Sequence, residues 1–519
     1  MLRTAKFGAL VGVAALALAA CSSGGTDDST ASSDSSSSAT AAEGRAEQLT
    51  IGAVVDVSTW SAQDAAWGNT ATYMMAVYDT LLRQNADGTI EAGLATDWSY
   101  DDSMTVLTLT LRDDVTFTDG SALDADLVVE NLTRFQNGAS ENSGNLSSID
   151  SVTAVDATTV EIALSAPDPA LLSYLAQNSG LIEAESAFDS ADIQTVPVGS
   201  GPYVLDADSS TIGSSYTFTA NDDYWDPDSQ HYDTIVINYY ADANALLNAL
   251  RDSQVDIANL NSTSQIPDAE SAGYTINTQT LNWKGLILAD RWGVVDEALA
   301  DVRVRQAINY ALDREGLLAG IESGYGEVTT QIFGTGTTAY EEDLDSYYTY
   351  DVDKAKELLT EAGYPDGITI TMPLSSFVPE SEAQLIAGNL AEAGITVNYE
   401  TAGESFISDL LGGKWAAFEF GLNQESESWA TYKLSVSVDS AWNIYHQSTD
   451  ELDALADRMR MGGEDGDAAA QEMNEYLVEN AWFAPFYRVE GVIVTNDATS
   501  VTLKNGQAVS NLWDIVPTA

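Results

Sequence analysis

Cysteine and histidine are scarce in this chain of 519 residues, which contains one cysteine, Cys21, and two histidines, His231 and His446. A single cysteine excludes an intramolecular disulfide and a cysteine cluster that binds a metal. The motifs G-x-S-x-G, H-E-x-x-H, C-x-x-C and the P-loop are also missing from the sequence. We therefore expect a protein that is not an enzyme and has no cofactor or metal. A secreted hydrolase that uses a pair of carboxylates is the remaining alternative.

Basic residues are few as well: 20 lysines and arginines stand against 80 aspartates and glutamates, which gives a formal net charge of −60. A surface this negative repels nucleic acid and anionic lipid, so neither is an expected partner. The excess of acid fits adaptation to high salt, where screening shortens the reach of self-repulsion. An acidic surface without any requirement for salt fits equally well, and the sequence leaves both interpretations open.

The sequence contains no apolar run of the roughly 20 residues that a membrane-spanning helix needs. The apolar run at residues 7–20 follows two basic residues and is typical of a secretory signal peptide over residues 1–20. The run ends in the letters LAAC at Cys21, which resembles the lipobox of bacterial lipoproteins. The resemblance implies that the chain is cut before Cys21 and that its thiol carries a lipid anchor. An ordinary secretion signal with an incidental cysteine is the alternative.

Residues 21–48 consist mainly of serine, glycine, threonine, alanine and aspartate. Such a stretch buries too little apolar surface to offset its chain entropy. We therefore expect a flexible linker between the lipid anchor and a folded body that begins near Leu49. The body, residues 49–519, is too long for one hydrophobic core, and its length predicts two to four domains.

Helix and strand patterns alternate along the body, which predicts an α/β fold. Leucine and threonine alternate over residues 107–111, the period-two pattern of a strand. Residues 301–318 have apolar positions at helical spacing and predict one helix. The next helix has Asp353 as its predicted N-cap residue and Gly363 as the glycine beyond its C-terminus. Residues 367–372 then predict a strand, and residues 383–400 repeat the order of helix, glycine and strand.

A series of short motifs runs through the body in a fixed order. They are Asp87-Gly88, Gly93-Leu94-Ala95, Trp98, Leu111-Arg112, Phe117-Thr118-Asp119-Gly120, VGSGPYVL from Val198, NDDYWD from Asn221, ANALLNALRDSQVDIA from Ala243, ADVRVRQAINYALDREGL from Ala300 and APFYRVEGVIV from Ala484. The ordered series resembles the bacterial extracellular solute-binding proteins of family 5, the substrate-binding lipoproteins of peptide and nickel ABC transporters. The resemblance covers nearly all of residues 49–519.

The resemblance implies a periplasmic-binding-protein-like type II fold, in which two lobes are joined by a hinge and an extra domain packs on lobe I. Carried over to this sequence, lobe I comprises residues 49–74, 191–284 and 486–519. The extra domain comprises residues 75–190, and lobe II comprises residues 285–485. The ligand is expected between the lobes, which close over it in a hinge motion.

The resemblance also implies the partners of the protein. They are a small-molecule or peptide ligand, an ABC permease and the ATPase subunits of that permease. We expect a monomer on the outer face of the cell membrane that touches the membrane only through its lipid anchor.

Five residues are candidates for contact with the ligand. In peptide-binding members of the family, an acidic residue in a segment like W-x-A-D-Y-x-D-P meets the free amine of the peptide. Glu425 falls at that position by eye, and Asn423, Gln424 and Trp429 add amide and aromatic groups beside it. Trp60 follows the end of a buried strand, where pockets of open α/β sheets lie, so we expect it in the cleft as well.

The solute is less defined than the fold. A di- or oligopeptide fits the acidic residue at position 425, because a carboxylate pairs with an ammonium group. An oligosaccharide fits the aromatic groups, since sugar rings stack on aromatic faces. A nickel chelate is the third alternative, with His446 as the candidate imidazole.

The predicted lipid anchor gives a direct test. Cys21→Ser removes the only thiol of the chain, so we expect the variant to be released from membranes that retain the wild type in high salt. Ser22→Ala, which leaves the thiol in place, is the control and should stay with the membranes. Retention of the Cys21→Ser variant in the membrane fraction would contradict the lipid anchor.

Overall fold

Alternating buried and exposed residues build the strands of this protein, and apolar stripes build its helices. The computed structural model describes residues 44–375 and 378–518. Within them the strands, in chain order, are β1 (Ala46–Ala53), β2 (Leu82–Gln84), β3 (Ile90–Ala92), β4 (Ala95–Tyr100), β5 (Val106–Leu111), β6 (Ile149–Asp156), β7 (Thr159–Leu164), β8 (Tyr203–Thr211), β9 (Ser215–Ala220), β10 (Tyr232–Tyr239), β11 (Ile257–Leu260), β12 (Thr275–Ile287), β13 (Glu327–Val328), β14 (Ile368–Leu374), β15 (Ile395–Thr401), β16 (Phe418–Asn423), β17 (Phe483–Thr495), β18 (Thr499–Val501) and β19 (Ile515–Pro517).

Short 3-10 turns and α-helices connect the strands. The α-helices of the described residues are α1 (Ala71–Val77), α2 (Ala125–Gln136), α3 (Leu171–Leu175), α4 (Ala243–Arg251), α5 (Ile266–Ser271), α6 (Val302–Tyr310), α7 (Arg314–Ile321), α8 (Val352–Glu361), α9 (Glu380–Glu392), α10 (Phe406–Leu411), α11 (Ser428–Ser435), α12 (Asp450–Met459) and α13 (Gly463–Glu479). The mixture of helices and strands confirms the predicted α/β class.

The largest sheet of the described residues has nine strands. Its order is β16-β12-β17-β11-β1-β10-β9-β8, and β13 pairs with β17 beside this path. β1 runs parallel to its neighbours β10 and β11, whereas β17 is antiparallel to both β11 and β12. Runs of consecutive buried residues in β1 and β17 show that these inner strands are covered on both faces.

The thirteen-residue strands β12 and β17 connect the two ends of this sheet. β17 pairs with β11 through residues 492–495, and β12 pairs with β16 through residues 282–287. The register of β12 against β17 shifts twice, at Leu281 and between Lys284 and Gly285. Such an irregularity increases the local twist of a strand and redirects its side chains.

Two smaller units confirm particular sequence predictions. The leucines of residues 107–111 lie buried in β5, within the four-stranded sheet β4-β5-β7-β6. β14, α9 and β15 form a parallel β-α-β unit, in which Ile386 and Leu390 of the helix are buried. Gly363 ends α8 with a φ of 97°, as the predicted glycine beyond a helix C-terminus should.

The prediction of one helix over residues 301–318 is wrong, because α6 ends at Tyr310 and α7 starts at Arg314. The break is made by the guanidinium of Arg314, which is buried and donates to the backbone oxygens of Asn309 and Pro485 at 3.0 and 2.8 Å. Buried charges of this kind need several acceptors, and a straight helix would carry the side chain away from them.

The predicted cap of α8 is also wrong by two residues. Asp351, rather than Asp353, occupies the N-cap position, and its carboxylate accepts from the backbone N–H of Lys354 at 2.8 Å. Both aspartates satisfy the residue preference of an N-cap, so only the backbone conformation at Asp351 distinguishes them.

The folded part begins earlier than Leu49, because β1 starts at Ala46 and Arg45 donates to the carboxylate of Asp233 at 2.9 Å. The signal peptide, Cys21 and most of the linker lie outside the described residues. The boundaries of the two lobes and of the extra domain stay predictions. Among the described helices, none has both the length and the apolar character needed to cross a membrane.

The entry to β8 gives a test of the packing. A Cβ at Gly199 would lie 1.9 Å from the backbone oxygen of Val77, so Gly199→Ala forces two backbone segments apart. We expect a loss of about 1–3 kcal/mol or more in the free energy of unfolding, seen as a lower unfolding temperature. Gly403→Ala is the control, because nothing lies within 4 Å of a Cβ there. Equal unfolding temperatures of the two variants would contradict the close approach.

Candidate functional site

A cavity of about 1150 Å³ lies beside the register shift of β12, where Leu281 and Asn282 line it. Its other walls come from within residues 67–69, 141–148, 165–177, 420–442, 453–460 and 504–508. The volume exceeds the roughly 300–1,000 Å³ that is typical of sites for drug-sized molecules. The cavity therefore has room for a solute of several joined residues.

Asn423 and Glu425 line the cavity at the end of β16. The side-chain amide of Asn423 donates to Glu425 Oε1 at 2.9 Å and so fixes the carboxylate. Burial raises the pKa of Glu425, while the hydrogen bond from Asn423 and the positive charge of Lys504 oppose that rise. A positively charged solute group beside this carboxylate would favour its ionised form.

Gln424 lies between these two residues but points away from the cavity, as alternation along an extended segment requires. Its side-chain amide donates to the backbone oxygen of Ile332 at 3.2 Å, and only 3% of the residue is exposed. Gln424 therefore holds the wall of the cavity from behind.

Trp429 lines the cavity from α11. Its ring stacks on Tyr432 with 4.9 Å between the centroids, and the guanidinium of Arg460 lies 5.5 Å from the ring centroid. The indole N–H of Trp429 is buried and has no hydrogen-bond partner within the described part of the chain. A buried N–H of this kind is a donor that a polar solute could satisfy.

An ion pair crosses the cavity wall between distant parts of the chain. Lys433 Nζ lies 3.0 Å from Asp168 Oδ2, and the same ammonium lies 5.2 Å from the ring centroid of Tyr174. Asp168 is buried and Lys433 is largely buried, so this pair is shielded from solvent better than a surface pair.

Lys504 is a second cation of the cavity wall, and only 5% of the residue is exposed. Burial lowers the pKa of Lys504 to about 8, against the opposing effects of Asp514 and Glu425. Within the described residues its ammonium makes no ion pair or hydrogen bond, in contrast to that of Lys433. The cavity thus presents an acidic and a basic group that are both partly deprived of water.

Trp60 does not line this cavity. Its side chain is 1% exposed and packs edge-on against Tyr73, Tyr216 and Phe218, with centroid distances of 5.9–6.3 Å. Trp60 follows the end of a buried strand as expected, but its apolar ring packs into the core and not into the cavity. We therefore leave Trp60 out of the proposed ligand contacts.

Sequence reasoning missed Asp168, Lys433, Arg460 and Lys504, all of which line the cavity. These residues come from segments that are far apart in sequence, and no local motif marks them. The one available signal was the rarity of lysine, since the chain has seven and two of them lie here.

The imidazole of His446 lies outside the cavity lining, and its Nδ1 is 2.6 Å from the backbone oxygen of Val438. The described residues contain no group of three or more histidine, cysteine, aspartate or glutamate side chains placed to hold a metal ion. The nickel-chelate alternative therefore gains no candidate ligands here.

The chain is similar in sequence to known solute-binding proteins. Residues 89–452 match the family model described as bacterial extracellular solute-binding proteins, family 5 middle. The probable peptide ABC transporter periplasmic-binding protein y4tO of Sinorhizobium fredii is 24% identical over 419 residues, which cover 75% of this chain and 78% of that protein. The glutathione-binding protein GsiB of Escherichia coli O1:K1 / APEC is 27% identical over 359 residues, which cover 67% of this chain and 68% of that protein.

A solved structure supports the same relationship at the level of the fold. The ABC transporter-associated periplasmic binding protein DppA of Helicobacter pylori, in complex with the peptide STSA, superposes with a TM-score of 0.75 and 20% sequence identity. The match covers 92% of this chain and 99% of that one. The prediction of a periplasmic-binding-protein-like type II fold is confirmed.

The N-terminus of α11 gives a pH-dependent test of the site. Glu427 caps this helix by accepting from the backbone N–H of Ala430 at 3.0 Å, and burial raises the pKa of Glu427 to about 7. Between pH 4.5 and about pH 7 the carboxyl of Glu427 keeps its proton in the folded state and loses it in the unfolded state. The contribution of Glu427 to stability therefore falls as the pH rises through this range.

We therefore expect the unfolding temperature of the wild type, minus that of Glu427→Gln, to be higher at pH 5 than at pH 8. The variant carries a neutral amide that does not titrate in this range. In the control Glu404→Gln, at an exposed position, the corresponding difference should be independent of pH. A pH-independent difference for Glu427→Gln would contradict the burial of this carboxyl.

Proposed function

This chain belongs to the bacterial extracellular solute-binding proteins of family 5, and we propose that it captures peptides for an ABC importer. In this proposal a di- or oligopeptide binds in the cavity beside β12, and the loaded protein delivers it to a membrane permease and its ATPase subunits. The protein acts as a receptor that returns its ligand unchanged, outside the cytoplasm.

The observation that carries the peptide assignment is the carboxylate of Glu425. It lies in the cavity wall, is oriented by Asn423 and is deprived of water by burial. No cation of the described residues forms an ion pair with Glu425, and a peptide ammonium would supply one. The two sequence relatives, a probable peptide ABC transporter periplasmic-binding protein and a glutathione-binding protein, support the same class of solute.

The architecture supports capture between two lobes. The cavity lies at the irregularity of β12, and its walls come from all three of the proposed parts: lobe I, the extra domain and lobe II. The Lys433–Asp168 ion pair and the hydrogen bond from Gln84 Nε2 to Ser426 Oγ, at 3.2 Å, join the proposed extra domain to lobe II. Contacts of this kind can form and break when lobes close and open.

The proposed location is the outer face of the cell membrane, with a lipid on Cys21 as the anchor and the protein as a monomer. The acidic linker after Cys21 would keep the binding body away from anionic headgroups, because charges of like sign repel.

The role of Glu425 can be tested with trialanine and glutathione as probes in titration calorimetry. Glu425→Gln should weaken the binding of at least one of them by roughly 30-fold or more, since removing one partner of a buried charge pair typically costs about 2–5 kcal/mol. Acetylation of the amine of that probe should weaken wild-type binding by a similar factor. It should cost little more in the variant, because both changes remove one interaction.

Glu270→Gln, at an exposed position outside the cavity, is the control and should bind like the wild type. Additive losses in the cycle would mean that Glu425 does not meet the amine. A wild type that binds neither probe would refute the peptide assignment and favour an oligosaccharide, for which the Trp429–Tyr432 stack offers an aromatic face.

A further inference from the structure

Backbone contacts fix the position of Lys504 against the cavity. Its backbone N–H donates to Gln279 Oε1 at 2.9 Å, and the backbone N–H of Gly506 donates to the backbone oxygen of Thr280 at 2.8 Å. A Cβ at Gly506 would lie 2.4 Å from the backbone oxygen of Gln424, so this turn also packs tightly on the end of β16. These contacts hold the backbone of Lys504 against β12 and against the end of β16.

The ammonium of Lys504 differs from those of other lysines that have a role in the fold. Lys433 and Lys414 each have a carboxylate oxygen within 3.0 Å of Nζ. Only 5% of Lys504 is exposed, yet no carboxylate of the described residues lies within ion-pair distance of its Nζ. A lysine that is largely removed from solvent and whose ammonium has no carboxylate partner costs free energy, unless a partner reaches it through the cavity.

The cavity is the place from which such a partner can come, because Lys504 and its neighbours 505–508 line it. The nearby charges are the acids Glu425 and Asp514, and both are too distant for a direct ion pair. A neutral sugar would leave the ammonium unpaired, whereas a carboxylate would satisfy both its charge and its hydrogen bonds.

We propose that Lys504 binds a carboxylate of the solute, so that this site selects a zwitterion whose ammonium meets Glu425. The inference rests on the proposed function and narrows its solute to peptides with a free carboxylate. That carboxylate is either the C-terminus of a peptide or the α-carboxylate of a γ-glutamyl group, and the chemistry at Lys504 is the same for both.

Calorimetry with paired probes tests the proposal. The probes form two pairs. One pair is trialanine and its C-terminal amide, and the other is glutathione and its glycyl ethyl ester. Lys504→Met should weaken at least one of the two carboxylate probes by about 30-fold or more. If the C-terminus is bound, amidation or esterification should weaken wild-type binding by a similar factor and should have little effect in the variant.

The two sources of the carboxylate give different patterns. If the γ-glutamyl carboxylate is bound, the ethyl ester of glutathione should bind the wild type as glutathione does, and both should be weakened in Lys504→Met. The control Lys414→Met removes an ammonium that is paired with Glu400 outside the cavity, and it should bind like the wild type. Unchanged binding in Lys504→Met, or losses that add in the cycle, would overturn the proposal while leaving peptide capture intact.

The number of protons taken up on ligand binding distinguishes a ligand-binding lysine from a purely structural one, which would not change it. A bound carboxylate favours the charged ammonium, so binding at pH 8.5 should take up as much as about 0.7 of a proton more in the wild type than in Lys504→Met. The uptake is measured by calorimetry in buffers of different ionisation enthalpy. Equal uptake in the two proteins would count against a carboxylate at Lys504.

If no peptide probe binds the wild type, the peptide assignment is refuted, and a separate experiment then tests carboxylate binding at Lys504. Sodium acetate then serves as a bare carboxylate, and the acetylation of each lysine by a succinimidyl ester is quantified by mass spectrometry. Selective protection of Lys504 by acetate, with Lys414 unprotected, would support carboxylate binding. Equal acetylation of Lys504 with and without acetate would overturn it.

Discussion

The long antiparallel pair of β12 and β17 is the constraint on which the rest of the structure depends. Each strand spans thirteen residues, and together they are the backbone connection between the β11 and β16 sides of the large sheet. At Gly285 the two strands approach so closely that a Cβ would lie 2.5 Å from the backbone oxygen of Ala484. Gly285 lies at one of the two register shifts of this pair, and the cavity lies at the other, beside Leu281 and Asn282.

The same pair determines where the charged groups of the cavity stand. β12 holds the turn of Lys504 through Gln279 and Thr280, and it pairs with β16, which ends at Asn423. Groups from residues far apart in sequence are thus placed on one wall by the pairing of β12 with β16 and by the hydrogen bonds of Lys504 and Gly506 to β12.

The acidity of the chain makes its few cavity cations conspicuous. Among the described residues, the cavity is lined by six acidic residues and by Lys433, Arg460 and Lys504. Lys433 is balanced by Asp168, and Arg460 lies against the ring of Trp429. Lys504 has neither kind of partner. An excess of acid on the surface explains solubility and repulsion, but it explains nothing about this buried cation.

Sequence reasoning found the fold class, the β5 strand, the β-α-β unit and three of the five ligand candidates as cavity residues, because each depends on local periodicity or a local motif. It failed where the local structure depends on a buried side chain whose partners are distant in sequence. The break before Arg314 follows from acceptors on β17, and the burial of Trp60 follows from rings of Tyr73 and Tyr216 that local pattern does not reveal. Lys504 belongs to the same class, since only the packing of its turn on β12 shows that its ammonium is buried.

Burial moves the pKa of Glu425 upward and that of Lys504 downward, so both shifts favour the neutral form in the absence of opposite charge. The attraction between Glu425 and Lys504 opposes both shifts, and a solute that supplies both an ammonium and a carboxylate would oppose them further. A solute that lacks either group leaves one buried charge unpaired, and an unpaired group in such a site discriminates more strongly than a missing apolar contact. A cavity of this size can therefore still be selective, because the selectivity depends on the charged groups of Glu425 and Lys504 and not on a close fit of the remaining walls.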